Sequence, residues 1–356
     1  MSSRQEECAR PDWSDDYLDS PSAPEIKAPY FDERLGAWVL SRYADVLAAF
    51  RSPVLIPTGA KGLSKKKAPD EAVRLKMRDE TKAALSLRQL YKWQKILAPE
   101  VAALTQRLPI GQPVDLVGAF ARPLCLTLAV AVTKADPEDA HRLQALAKDV
   151  SAAAAEPYDA KISSDAEAAN AQLHGCFHSG PESLRDSGFV ALSHTLPCLL
   201  ANAWFALLDH PQQWRRLHQR PALVTQAMEE LLRYAGLTRL LFRRAAEDVD
   251  LNGISIRKGD RAILRIAVAN KDPERFPHPN EMDLAHQGKG HLALGAGLHT
   301  CVGGSLIRMA AVTVTRPLLE RFAWAEIAEP VEWRGGPVFR SPTRLPAYLY
   351  EAIPAI

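Results

Sequence analysis

The stretch His291-Leu-Ala-Leu-Gly295-Ala-Gly297-Leu-His299-Thr-Cys301-Val-Gly303-Gly304 sets one cysteine on a glycine-rich turn. A helix-compatible run from Ser305 to Leu319 follows directly. A thiol at a helix N-terminus meets the positive end of the macrodipole and several unpaired backbone N–H groups. Both favour sulfur as a thiolate. Gly295, Gly297 and Gly303 carry no Cβ, so the turn can bend sharply and lie close against a flat ligand.

Three readings of Cys301 compete at this point. Most isolated thiols are buried structural residues. A zinc site needs two or three more ligands at short spacing; His291 and His299 are near, yet no Cys-x-x-Cys occurs in the chain. An anionic sulfur on a tight loop also suits one axial position of haem iron.

Composition narrows the class. The 356 residues are 47% hydrophobic with a net charge of +2, ample for a large core and long enough for two domains. The near-neutral balance gives no sign of nucleic-acid binding. Five cysteines, at 8, 125, 176, 198 and 301, form no spaced framework, which predicts a reducing compartment. The N-terminus Met1-Ser-Ser-Arg-Gln-Glu-Glu7 is polar, and no run of 18 apolar residues is evident. The expectation is a cytoplasmic protein with no membrane segment.

Outward from the cysteine loop, residues 271–300 are irregular and rich in Pro, His and Gly. A structureless stretch of that length is more often functional than accidental. Residues 238–267 read as short strands with turns at Asn252-Gly253 and Lys258-Gly-Asp260. Helical periodicity dominates from about 71 to 234, with breaks near Gly111-Gln-Pro113, Asp136-Pro137 and Ser179-Gly-Pro181. Ala37–Leu40 reads as a strand, Tyr43–Phe50 as a helix, and 52–70, with Lys65-Lys66-Lys67, as a solvated loop. Residues 1–28, rich in Pro, Asp and Ser, read as a loosely ordered lead-in.

Several of these segments, in this order, resemble the cytochrome P450 family, bacterial soluble type. They are the Cys301 loop, Glu230-Leu-Leu-Arg233, Ala269-Asn-Lys-Asp-Pro273 with Phe276 and Pro279, Arg243-Arg-Ala-Ala-Glu-Asp248, and Trp38-Val-Leu-Ser-Arg-Tyr-Ala-Asp-Val46. The likeness covers about residues 30 to 350. It implies a mainly α, helix-rich fold with small β-sheets. It also implies a single domain over 29–356 and haem b held between an oxygen-activating helix and the cysteine loop. Cys301 is then the iron ligand. Arg78, Arg243 and His299, with Arg74 of Arg74-Leu-Lys-Met-Arg78, are the implied partners of the haem propionates. Gly295 and Gly303 shape the loop, and Leu294 stands where the family commonly has an aromatic ring. Glu230 and Arg233, at i and i+3 on one helix face, are the implied buried pair, with His286 in place of the usual arginine as third member.

The departures lie elsewhere. Ala191-Leu192-Ser-His194-Thr195 falls on the family's Ala-Gly-x-acid-Thr motif, so leucine replaces the glycine and histidine the acid. Pro197 cannot donate to the Ser193 carbonyl and pushes it aside, which predicts a kink with a freed acceptor. The chain is short for the family, which predicts a more open pocket. Leu192, Leu237, Thr238, Leu240 and Phe339 are the candidate pocket residues.

The resemblance implies a monooxygenase that places one atom of dioxygen into a small or medium apolar molecule. Electrons then come from a ferredoxin-type partner drawn to the basic 65–82 region, and the protein is expected to be a monomer. Thr195, with His194 or water, would manage protons. The alternative is a haem-thiolate enzyme driven by peroxide, or one that couples, rearranges or dehydrates its substrate, with His194 as distal acid/base. A non-catalytic haem sensor is the third reading.

Overall fold

In the computed structural model, residues 26–57, 71–157, 159–177, 184–285, 290–334 and 336–352 are described. The expected lead-in up to residue 25, Lys65–Lys67, the Ser179–Pro181 break and His286 lie outside the described residues.

The helix Asp186–Asp209 runs through the core. Its last part, Leu196–Asp209, is apolar on nearly every face and is buried accordingly, with Leu200, Trp204 and Leu207 fully covered. By length and composition this helix could cross a membrane, a feature missed in the sequence; 67% of its most apolar window is buried inside the protein. It is therefore a core helix.

Polar handles on large aromatics fix its neighbours. Trp204 Nε1 donates to Thr315 Oγ1 at 3.0 Å, tying the long helix to the helix Gly304–Arg321. Trp214 Nε1, on the helix Pro211–Gln219, donates to the Phe322 carbonyl at 2.9 Å. A buried Trp brings a large apolar surface, and its N–H needs a partner when water is excluded.

The strands form small sheets beside this helical body. The largest has five strands in the order Tyr30–Asp32, Ala37–Leu40, Arg261–Leu264, Leu241–Ala245 and Leu55–Pro57. Ala37–Leu40 and Arg261–Leu264 pair in parallel; the other pairs are antiparallel. Leu55–Pro57 falls in a stretch read from sequence as loop. It pairs with Leu241–Ala245, a partner nearly two hundred residues away that no local pattern reveals. The Asn252-Gly253 turn forms as expected, both residues at positive φ (50° and 87°), and joins Val249–Leu251 to Ile254–Ile256.

Candidate active site

The cysteine loop is fixed by its own backbone. Leu292 N–H donates to the Asn270 side-chain carbonyl at 2.7 Å, Gly295 to Leu292 O at 2.9 Å, and Cys301 to Leu294 O at 2.6 Å. Gly295 has φ +69°, and a Cβ there would collide with the His299 carbonyl. Gly297, at φ +57°, lies against the backbone of Phe50 and Arg51, so the helix Tyr43–Arg51 packs directly on the loop.

The irregular stretch before the loop is held by a buried ion pair. Arg233 Nε and Nη2 donate to the two oxygens of Glu230 at 2.8 and 2.7 Å, and both side chains are about 2% exposed or less. Arg233 also donates to the carbonyls of Asn270, Pro279 and Glu281, and Glu230 accepts from the Asp283 N–H. One guanidinium thus ties together three backbone positions that have no ladder of their own.

A second ion cluster, which the sequence reading did not single out, braces the same loop. Arg308 donates to both oxygens of Glu229, at 2.5 and 2.9 Å, and His291 Nε2 lies 3.3 Å from Glu229. Ala293 N–H donates to His291 Nδ1, which leaves Nε2 as the protonated nitrogen facing the carboxylate. Burial works to raise the Glu229 carboxyl, but contact with His291 and Arg308 outweighs it and brings it from 4.5 down to about 2. The histidine that opens the quoted motif was the available signal.

A cavity of about 780 Å³ opens above Cys301. Cys301, Leu294, Gly295, His299 and Gly303 form one side. Ala191, Leu192 and Thr195 of the long helix form another. Arg78, on the helix Glu71–Ala84, and Arg243, on the strand Leu241–Ala245, also line it. Leu237, Thr238 and Phe339 complete the wall, with Thr238 and Phe339 joined by a β-bridge. Leu75 and Met77 line the same cavity yet are 39% and 48% exposed, so its mouth lies there. The Arg74 side chain lies outside the described residues.

The family model that matches residues 208–334 is that of cytochrome P450. Over this segment the chain is similar to the cytochrome P450 family. A nocardicin C N-oxygenase from Nocardia uniformis is 27% identical over 91% of this chain and 92% of its own length. A biotin biosynthesis cytochrome P450 from Bacillus subtilis is 37% identical over 42% of this chain, a match spanning only 38% of that relative. The solved structure of P450BioI, in complex with an acyl carrier protein carrying hexadec-9Z-enoic acid, superposes with a TM-score of 0.81 at 22% identity. It covers 88% of this chain and 92% of its own. The expected fold is borne out: a P450 architecture, mainly helical with small sheets.

Haem b is the cofactor of this family, and the residues present fit it. The cavity lies within the range of organic ligand pockets, roughly 300–1,000 Å³. Its lining is largely apolar and, among the described residues, includes two arginines, a histidine and a thiol, and no aspartate or glutamate. Cations without a local acid suit a flat apolar ring that carries two carboxylates of its own. Arg243 is 4% exposed and stacks over Phe50 at 5.6 Å; His299 sits beside the same ring, its centroid 6.5 Å away.

Three expectations need correction. Burial pushes the Cys301 thiol up, against the Gly303 N–H and the charges of Arg78 and Arg308. In the protein alone, desolvation therefore outweighs the helix terminus, and a bound metal cation would favour the thiolate. His194 does not line the main cavity. It lines a separate small one, about 60 Å³, with Ser151, Glu156, Cys198 and Ser341. Leu240 does not line the cavity either; it is 1% exposed and packs with Leu35, Val39 and Phe242, while its neighbour Leu241 faces the cavity.

The cause of the His194 placement is local. Ala191–Thr195 forms a π-turn, with Leu196 N–H bonded to the Ala191 carbonyl. The wider turn changes which side chains share a face. Thr195 reaches both cavities, and Leu192 stays on the main one. The Ser193 carbonyl that Pro197 cannot serve is met by Gln144 Nε2 at 3.5 Å.

Proposed function

We propose that this chain is a haem-thiolate monooxygenase with Cys301 as the iron ligand. It would insert one atom of dioxygen into a small or medium apolar molecule while two electrons and two protons convert the other to water. The observation that carries this reading is the pairing, across one cavity, of Cys301 on its glycine loop with Thr195 on the long helix. Haem, when bound, supplies the redox centre at which dioxygen is reduced, and a thiolate ligand favours O–O cleavage.

The chain's own groups take the remaining roles. Arg78, Arg243 and His299 hold the carboxylates of the cofactor and fix its orientation. Leu192, Leu237, Thr238 and Phe339 enclose the substrate and exclude water. The Thr195 hydroxyl, which can both donate and accept, orders water at the boundary of the two cavities. The exposed Lys76 and Lys82 of the helix Glu71–Ala84, the latter paired with Asp79, would offer positive charge to an acidic ferredoxin-type electron donor. The domain over 29–356 acts as a cytoplasmic monomer in this reading.

Among the described residues, no carboxylate lines the main cavity, and this favours a second reading with peroxide as oxidant. His194, facing elsewhere, is not needed for it. The two readings part on one experiment. Turnover with reductant, ferredoxin-type partner and dioxygen supports the monooxygenase; turnover with hydrogen peroxide alone, and none with dioxygen, overturns it.

A further inference from the structure

A second cavity, of about 360 Å³, shares Thr238 with the first and no other lining residue. Its walls come from the end of the long helix, the segment after Tyr234, the turn around Lys271 and the Trp333–Arg340 region. Backbone bonds hold its centre: Arg239 N–H donates to Val338 O at 2.8 Å, and Ala267 N–H donates to Arg239 O at 3.0 Å.

Its chemistry differs from that of the first cavity. Arg239, Lys271 and Arg340 all line it, and Arg239 is only 9% exposed. Arg233 lines it too, paired with Glu230. Among the described lining residues the one acid is Asp209, at the rim with its side chain 61% exposed. The aromatic surfaces are Phe205, Tyr234 and Trp333. Phe205 and Trp333 meet edge to face at 4.8 Å, and Arg340 lies over the Trp333 ring at 4.8 Å. Stacking occupies the face of a guanidinium and leaves its N–H donors in the plane, where a carboxylate can be gripped.

Asn202 adds a directed acceptor. Its Nδ2 donates to the Arg340 carbonyl at 2.9 Å, so the amide cannot be turned the other way. Its Oδ1 is buried, without a hydrogen-bond partner among the described residues, in a side chain that lines the cavity. A buried acceptor left unmet is costly unless something fills the space beside it.

We propose that this cavity is a second ligand site, for a small planar aromatic carboxylate that carries a further hydrogen-bond donor. The carboxylate meets Arg239, Lys271 and Arg340, the ring lies among Phe205, Tyr234 and Trp333, and the donor reaches Asn202 Oδ1. Because Thr238 faces both cavities and bridges to Phe339, occupancy here bears on the wall of the first cavity.

The test is calorimetric titration of the haem-loaded protein with 4-hydroxybenzoate. One equivalent should bind, and binding should persist in Leu192→Trp, which crowds the main cavity. It should weaken about tenfold or more in Lys271→Met/Arg340→Met, which loses two charged donors. Benzoate, without the second donor, should bind about fivefold more weakly. The single variant Lys271→Met, at a half-buried side chain, should shift affinity in the same direction should the double variant fold poorly. Absence of binding to the native protein overturns the proposal. So does binding lost in Leu192→Trp, binding indifferent to the cation substitutions, or equal affinity for benzoate.

Discussion

The cysteine side and the long-helix side of the main cavity are built on different principles. On the cysteine side, nearly every functional group is held by short-range chemistry. The loop closes on its own carbonyls, Arg233 bonds three backbone oxygens, and Glu229 joins His291 to Arg308. On the long-helix side, position is set by helix phase and apolar packing, and one π-turn decides what faces the cavity. The first side tolerates little change. The second can vary its chemistry without losing the fold.

The largest effect is expected at Arg233. Arg233→Leu leaves the Glu230 carboxylate buried without its partner, which should cost about 3–5 kcal/mol. Urea unfolding would show this as a lowered midpoint; a midpoint close to that of the native protein would mean that the pair does not hold the stretch. Gly295→Ala comes next. A Cβ at φ +69° against the His299 carbonyl should cost about 1–3 kcal/mol and loosen haem, measured as faster transfer of haem to an acceptor protein.

Thr195→Ala tests the other side. Stability should change little, while dioxygen-driven turnover falls about tenfold or more. An equal loss of stability would assign Thr195 a packing role instead. Acid unfolding probes the Glu229 cluster. Its carboxyl is held down, so the stabilisation is present above its ordinary 4.5 and is lost as pH falls toward about 2. Glu229→Gln should remove that part of the acid-side slope and lower stability at neutral pH, where the native carboxylate is fully ionised. The smallest effect is expected for His194→Ala. Affinity for a substrate, followed by the haem spin-state shift, should stay within about twofold, because His194 lines a different cavity. A large change would mean that His194 shapes the substrate pocket after all.

What could be read from sequence follows the same division. The Asn252-Gly253 turn and the glycine-rich cysteine turn rest on spacing within a few residues, so local pattern reveals them, while the buried Glu230–Arg233 pair was legible only through the family resemblance. Leu55–Pro57 was missed because its partner strand is remote and its own residues resemble a loop. The His194 placement was missed because a regular helical period carries no sign of a π-turn. Leu240 and Leu241 were exchanged for a related reason: neighbours on a strand face opposite ways, and sequence alone does not tell which face is the cavity. The second cavity gathers residues from four separate segments, and nothing in any one of them points to the others.

The central claim is that Cys301 is the thiolate ligand of haem iron. It is tested most directly by the carbon monoxide spectrum of the reduced, haem-loaded protein. The account predicts a red-shifted thiolate band in the native chain and its loss in Cys301→Ser with haem still bound. A band that persists in Cys301→Ser would contradict it.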